Sequence, residues 1–351
     1  MPFRVALSAD FLTADGSPAY PMFDLSPLDA AGVEYEYVDL VESKEGMTEA
    51  MTVPASSVEG FDALILLAAA FTEDSIPSDG RLALVARFGV GFDNVDVDAC
   101  TAAGIATTIT PDGVRRPVAV TVINFMLNLA SKLRAKERLA RTDDWASRSE
   151  YMGVGITDKT LGLLGIGNIG AEICRLIEPF DVNVIAYDPF VDASTAAELG
   201  SPPSPPHPPT TTTWACVTHQ TTTNAAPPHT PRPWRLRHGG AGVEMVDLDG
   251  LFDNSDFLSI NCPLNEETRG MINTARLEQM KDTSYLINTA RGPIVDEAAL
   301  LTALEGDVIA GAAIDVFEVE PPPADHPLFG TLPAPHALLP VPPPHPRVFG
   351  R

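Results

Sequence analysis

An α/β fold built on parallel sheets is what this sequence predicts, and three observations predict it. Short apolar runs alternate with segments of helical period from Arg4 to Asp315, and a β-α repeat of that kind implies parallel strands with helices on the sheet faces. One unit of the repeat carries G-x-G-x-x-G between a strand and a helix. The chain has 351 residues and 45% hydrophobic content, enough to bury the cores of two domains.

The first stretch supplies a smaller α/β domain. Strands are expected at Arg4–Ser8, Tyr35–Val38, Ala63–Leu67 and Leu84–Phe88, each a compact apolar run. Leu25, Leu28 and Ala31 are spaced to face inward from a helix, and Asp96–Ala103 reads as another. Between them lies Arg87-Phe88-Gly89-Val90-Gly91-Phe92-Asp93-Asn94, whose two glycines allow backbone to come close to a ligand or simply make a strand-to-helix turn. Arg115-Arg116-Pro117 opens a long helical segment reaching towards Trp145, with Pro117 suited to a first turn. Val118, Val122, Phe125, Met126 and Leu129 form its apolar stripe, and the basic Lys132–Arg141 part is expected to be exposed.

The glycine unit comes next. Thr160–Leu164 is a strand, Gly165-Ile166-Gly167-Asn168-Ile169-Gly170 the turn, and Ile169, Ile173, Leu176 and Ile177 recur at helical spacing. Val182–Tyr187 is a second strand closed by Asp188, 18 residues beyond Gly170. Gly165 permits a tight turn, Gly167 lets a pyrophosphate approach the backbone, and Gly170 lets helix and strand pack closely. The helix N-terminus offers free N–H groups and partial positive charge to phosphates. An acid in the place of Asp188 binds a ribose 2′-OH and repels a 2′-phosphate, so NAD is expected as cofactor.

At Gly200 the pattern breaks. Ser201–Gly240 is roughly half proline and threonine, contains no acid, and holds four of the seven histidines. It reads as a disordered insertion foreign to the fold. His207, His219, His229 and His238 match no metal-ligand spacing, and no metal is expected. The α/β rhythm resumes at Gly242–Val246, with a short helix at Leu248–Phe252 and strands at Phe257–Ile260, Tyr285–Asn288 and Ile309–Ile314. Helices are expected at Thr274–Met280 and Glu297–Leu304. Ligands sit at the C-terminal ends of such strands, so Cys262, Thr289-Ala290-Arg291 and Asp315 should crowd the crevice of the glycine turn. The last stretch, Pro321–Arg351, is proline-rich and lacks a terminal helix, so it reads as cut short or altered.

Three residues have the chemistry for a 2-hydroxy acid. Arg291, at a strand end, can hold a carboxylate through two parallel hydrogen bonds. His336 can take a hydroxyl proton as hydride leaves the same carbon, and Glu320 can orient the imidazole. Taken singly, Arg291 could be a surface salt-bridge partner, Glu320 one of several loop acids and His336 an ordinary loop histidine.

The composition narrows the partners. A net charge of -24 argues against nucleic acid and anionic membrane surfaces. Four cysteines without a C-x-x-C pair, no secretory signal at Met1–Leu7 and no bilayer-length apolar run fit a cytoplasmic protein.

Several stretches together resemble the D-isomer-specific 2-hydroxyacid dehydrogenase family, which includes phosphoglycerate dehydrogenase and glyoxylate/hydroxypyruvate reductase. They are Arg87–Ala103, Thr110–Ala119, Thr160–Pro189, Asp256–Thr268, Asn288–Leu300 and Gly311–Pro321, in the family's order. The resemblance implies a Rossmann NAD-binding domain, residues 115–322, inserted in a smaller flavodoxin-like substrate domain made of 1–114 and 323–351, with 201–240 as the insertion. It implies that Arg291 binds the substrate's carboxylate and carbonyl oxygens and that Glu320 orients the acid–base histidine. Gly165, Gly167, Asn168, Ile169, Gly170, Asp188, Cys262, Thr289, Ala290 and Asp315 would line the NAD site, with Val90 near the cleft. His336 fits the family's P-H motif, with His345 a weaker candidate. The loop Ala68–Thr72 lacks the arginine found in relatives with phosphorylated substrates, so a small unphosphorylated acid is expected, its carboxylate held by that loop's N–H groups. The resemblance further implies a homodimer. A non-catalytic NAD-sensing protein of co-repressor type and an inactive product of a faulty reading frame are the alternatives.

Overall fold

The computed structural model describes residues 2–21, 23–44, 51–191, 243–330 and 337–338. Fourteen strands lie among them: β1 (Arg4–Ser8), β2 (Glu34–Val38), β3 (Val41–Glu42), β4 (Met51–Thr52), β5 (Ala63–Leu66), β6 (Leu84–Arg87), β7 (Ala106–Thr108), β8 (Thr160–Leu164), β9 (Asn183–Tyr187), β10 (Glu244–Met245), β11 (Phe257–Ile260), β12 (Tyr285–Asn288), β13 (Gly311–Ile314) and β14 (Ala337–Leu338). Ser201–Gly240, with its four histidines, and both His336 and His345 lie outside the described residues.

Two parallel sheets carry the molecule. The first has the order β2-β1-β5-β6-β7 and is parallel throughout. Counted within that sheet the order is second-first-third-fourth-fifth, the flavodoxin-like arrangement the sequence led us to expect. The second sheet runs β10-β9-β8-β11-β12-β13-β14, again parallel. Its first six members follow the Rossmann order, and strand direction reverses its winding between β8 and β11. A ligand crevice is thereby fixed at the C-terminal ends of those two strands. β3 and β4 form a small antiparallel pair that the sequence did not reveal.

The central strands β8, β11, β12 and β13 are buried on both faces, which is why they read as unbroken apolar runs. Along β12, Tyr285 and Ile287 enter one core cluster while Leu286 enters the opposite one. β13 repeats the alternation, with Ala313 on one side and Ala312 and Ile314 on the other.

Three expectations need correction. The long helix begins at Pro111, not at Arg115, so Pro117 lies inside it. Proline suits a first helical position, and Pro111 occupies it. The helix also stops at Ser131. Lys132 takes a left-handed conformation (φ 52°), and the chain turns by 57° into a second helix, Leu133–Arg141. No single helix among the described residues is long and apolar enough to cross a membrane. The Ser26–Ala30 helix has no fully buried residue, although Leu25 packs on the Val5–Phe11 cluster. β14 pairs with β13, Ala337 beside Ala312, and is the seventh strand of the second sheet.

Candidate active site

The glycine turn leaves β8 and enters the Asn168–Ile177 helix, with Gly167 as the residue before it. Gly165 has φ +93°, and a Cβ there would stand 2.9 Å from the Cys262 nitrogen. Both the backbone angle and the space demand glycine. A Cβ on Gly170 would stand 2.7 Å from the Gly165 carbonyl oxygen, so this glycine lets the helix seat on the turn. At Gly167 a Cβ would meet nothing within 4 Å. The space above Gly167 is open, and the free N–H groups of the helix start at its edge, which fits a pyrophosphate. Asp188 follows β9, and one of its carboxylate oxygens accepts the Ile166 N–H at 3.0 Å. That bond sets the acid beside the glycine turn. Cys262 closes the other side after β11, and burial pushes its thiol up to about 11. Thus Gly165, Gly167, Asn168, Ile169, Gly170, Asp188 and Cys262 converge on one crevice.

Arg291 stands three residues beyond β12. The turn that delivers it is braced from within. Asn288 is fully buried, its side-chain oxygen accepts the Ala290 N–H at 3.0 Å, and its amide donates to the Arg291 carbonyl at 2.9 Å. The Arg291 Nε donates to both oxygens of Asp93, at 2.8 and 3.0 Å. Asp93 belongs to the loop after β6, so this pair joins the two sheets' ligand ends. Gly91 in the same loop has no room for a side chain, because a Cβ would fall 1.4 Å from Arg291 Nη2. Val90 lies half-buried between the two glycines of this loop.

Glu320 is brought to the Arg291 turn by backbone packing. A Cβ on Gly292 would collide with the Phe317 carbonyl at 1.8 Å and the Glu318 nitrogen at 2.4 Å, so the two loops lie in contact. Glu320 accepts the Phe317 N–H at 2.8 Å. Burial of its carboxyl among these loops holds Glu320 above the usual carboxylate range, against the opposing pull of the Phe317 N–H and Arg291. Asp315, whose N–H donates to the Asn288 carbonyl, is likewise raised by burial. Arg291, Glu320, Asp315, Thr289 and Ala290 therefore share one edge of the second sheet.

One expectation about the substrate end fails. The N–H groups of the Ala68–Thr72 loop are not free for a carboxylate. Those of Ala68 and Ala69 donate to Asp10 at 2.8 Å each, that of Ala70 to Met51, that of Phe71 to Asn94 and that of Thr72 to Ser75. The sequence also missed Arg87. It ends β6 close enough to Arg291 to be pushed below its ordinary pKa, after the larger effect of burial. One Nη donates to the Phe88 carbonyl, and the Nε is buried without a partner, as is one oxygen of Asp10. Position within R-F-G-V-G was the available signal. His326, the one histidine among the described residues, went unnoticed too; it pairs with Glu297 at 2.9 Å.

A doubly wound sheet with a glycine turn at its switch point, flanked by an arginine from a nearby strand end, defines a nucleotide-binding α/β protein. Comparison with known proteins narrows this. Residues 123–207 and 229–339 match the family pattern described as "D-isomer specific 2-hydroxyacid dehydrogenase, NAD binding domain". The match breaks off inside the proline- and threonine-rich stretch. The chain is 31% identical to a D-3-phosphoglycerate dehydrogenase of Archaeoglobus fulgidus over 289 residues, 82% of this chain and 46% of that protein. It is 34% identical to a glyoxylate reductase of Thermofilum pendens over 251 residues, 71% of this chain and 62% of that protein. The crystal structure of a glyoxylate reductase from Paecilomyes thermophila superposes with a TM-score of 0.67 at 26% identity, covering 97% of this chain and 88% of that one. The chain belongs to the D-isomer-specific 2-hydroxyacid dehydrogenase family. It spans about half the length of the phosphoglycerate dehydrogenases it matches.

Proposed function

We propose that this protein interconverts a small D-2-hydroxy acid and its 2-oxo acid with NAD(H). The observation that carries the reading is the junction at Gly292, where the turn bearing Arg291 packs on the loop bearing Glu320 at the crevice of the glycine turn. NAD, when bound, supplies or accepts the hydride at the substrate's second carbon. Every other task falls to side chains. Arg291 keeps its Nε on Asp93 and one Nη1 donor on the Ala290 carbonyl, and offers its other N–H donors to the carboxylate and the carbonyl oxygen, stabilising charge as it develops there. Arg87 adds a second positive charge to the cleft. Glu320 orients the histidine that gives a proton to the oxygen in reduction and takes it in oxidation.

β14 starts at Ala337, directly after His336, and runs parallel to β13. Both His336 and His345 lie outside the described residues. We assign the acid–base role to His336, which fits the P-H motif in Pro335-His336, with His345 the weaker candidate. We further place the substrate-binding part in the first sheet and the NAD-binding part in the second. Ser201–Gly240 is an insertion between β9 and β10, and the site is cytoplasmic. Val120, Leu127, Leu133, Trp145, Met152 and Val154 are exposed apolar side chains on or beside the Pro111–Arg141 helices, suited to the contact of a homodimer.

The test is NADH oxidation with glyoxylate, hydroxypyruvate and pyruvate, beside NADH binding. Turnover of one of these acids that falls by about 10²-fold in His336→Ala supports the reading. Binding without turnover of any of the three acids removes it.

A further inference from the structure

We propose that Glu297 is a positioning residue, whose carboxylate clamps both ends of the Glu318–His326 loop and so sets where Glu320 points. The inference rests on the role given to Glu320 above. One Glu297 oxygen accepts the Glu318 N–H at 2.6 Å, and the other meets His326 Nε2 at 2.9 Å. The Leu328 N–H donates to His326 Nδ1 at 3.3 Å, which leaves the neutral ring's proton on Nε2, directed at Glu297. The pair is well covered, with side chains 11% and 14% exposed. His326 also lies edge-on to Phe317, ring centroids 5.4 Å apart, and Phe317 precedes the first clamped residue.

The anchor itself is firm. Glu297 is the first residue of the Glu297–Glu305 helix, where the backbone favours a carboxylate, and Asp296 caps that helix by accepting the Ala299 N–H. Ala299, Leu300, Ala303 and Leu304 root the helix in the core. Glu297 is also joined through residues 292–296 to the turn that delivers Arg291. One helix end thus fixes both arms of the site, although none of the bonds of Glu297 reaches Arg291 or Glu320 directly. A shift of Glu320 by about 1 Å is the sort of misplacement that costs up to ~10²-fold in rate.

Steady-state NADH oxidation with glyoxylate, on the full chain, tests this. The variants are Glu297→Ala, Glu297→Gln, His326→Phe, Glu320→Gln and the doubles with Glu320→Gln. Glu297→Ala should lower kcat by about tenfold or more, leaving the KM for NADH within about twofold. Glu297→Gln retains an acceptor for the Glu318 N–H and should recover part of the loss. His326→Phe keeps the ring packing, loses the Nε2 contact and should lower kcat in the same direction; it carries the test if Glu297→Ala does not fold. Since the clamp acts through Glu320, neither change should lower kcat further in the Glu320→Gln background. Wild-type kcat in both single variants overturns the proposal, as does a loss that adds in full to that of Glu320→Gln. Wild-type kcat in Glu320→Gln alone would instead remove the role of Glu320, and the clamp with it.

Discussion

Replacement of Arg291 is the perturbation whose cost follows most directly from the structure. Arg291→Ala removes a guanidinium that is 29% exposed and held by Asp93 and the Ala290 carbonyl. In the proposed role of Arg291, two interactions with the substrate are lost together. A hydrogen bond to a charged carboxylate contributes about 1.5–3 kcal/mol. A donor to the developing charge on the carbonyl oxygen contributes about 2.7–4 kcal/mol, or 10²–10³ in kcat. Because the first acts in ground and transition states alike, it belongs in KM and the second in kcat. Arg291→Ala should therefore lower kcat by about 10²-fold or more and raise the KM for the 2-oxo acid by about tenfold or more. Arg291→Lys separates charge from shape. Lysine keeps the charge but has no planar fork to engage Asp93 and substrate at once, so most of the loss should remain. The assay is initial-rate NADH consumption with glyoxylate and hydroxypyruvate, with the NADH dissociation constant measured on the same samples. An Arg291→Ala variant with kcat/KM within about threefold of wild type would refute the reasoning.

Two glycines of the turn, Gly167 and Gly170, should separate fold from binding. Gly167→Ala meets open space and should unfold at the wild-type temperature while binding NADH at least about tenfold more weakly; Gly170→Ala meets the Gly165 carbonyl and should also lose about 1–3 kcal/mol of stability. Equal NADH affinity in wild type and Gly167→Ala would show that no phosphate sits there. Glu320 has a folded pKa above its ordinary value, so the folded state binds the extra proton. Stability contributed by that protonated form is present below the unfolded pKa and declines as pH rises through the window up to the raised value. Glu320→Gln should consequently be more stable than wild type at pH 7, with the gap closing near pH ~4, as read by urea unfolding; a less stable variant at pH 7 contradicts this. Cys174 and Cys262 have thiols pushed up to about 12 and about 11 by burial, so at pH 8 about one in 10³ or fewer is thiolate. Alkylation followed by peptide mass spectrometry should find both largely unmodified in the native protein, and rapid labelling of either counts against the packing described.

The sheets were legible because their central strands are short runs buried on both faces, and β8, β11 and β12 needed no long-range information to be recognised. The glycine turn was legible for the same reason, since strand, glycines, helix and acid are contiguous. What escaped depends on partners far apart in the chain. Asp10 meets Ala68 and Ala69 across 58 and 59 positions and removes the N–H groups that seemed available to a substrate. Asp93 meets Arg291 across 198 positions, and no local pattern announces it. Arg87 looked like the end of an apolar strand, and only its placement beside Arg291 gives it a part in the cleft. The helix start moved because Thr110-Pro111-Asp112 is as good a beginning as Arg116-Pro117, and local preference cannot choose between them. The break at Lys132 requires a left-handed residue where the sequence offers neither glycine nor asparagine.

The measurement that bears most directly on the whole account is the fate of NADH when hydroxypyruvate is added to the purified chain. Steady oxidation of NADH with formation of the D-hydroxy acid, abolished by Arg291→Ala, is the predicted result. Tight NADH binding with no oxidation, or formation of the L-hydroxy acid, would contradict it.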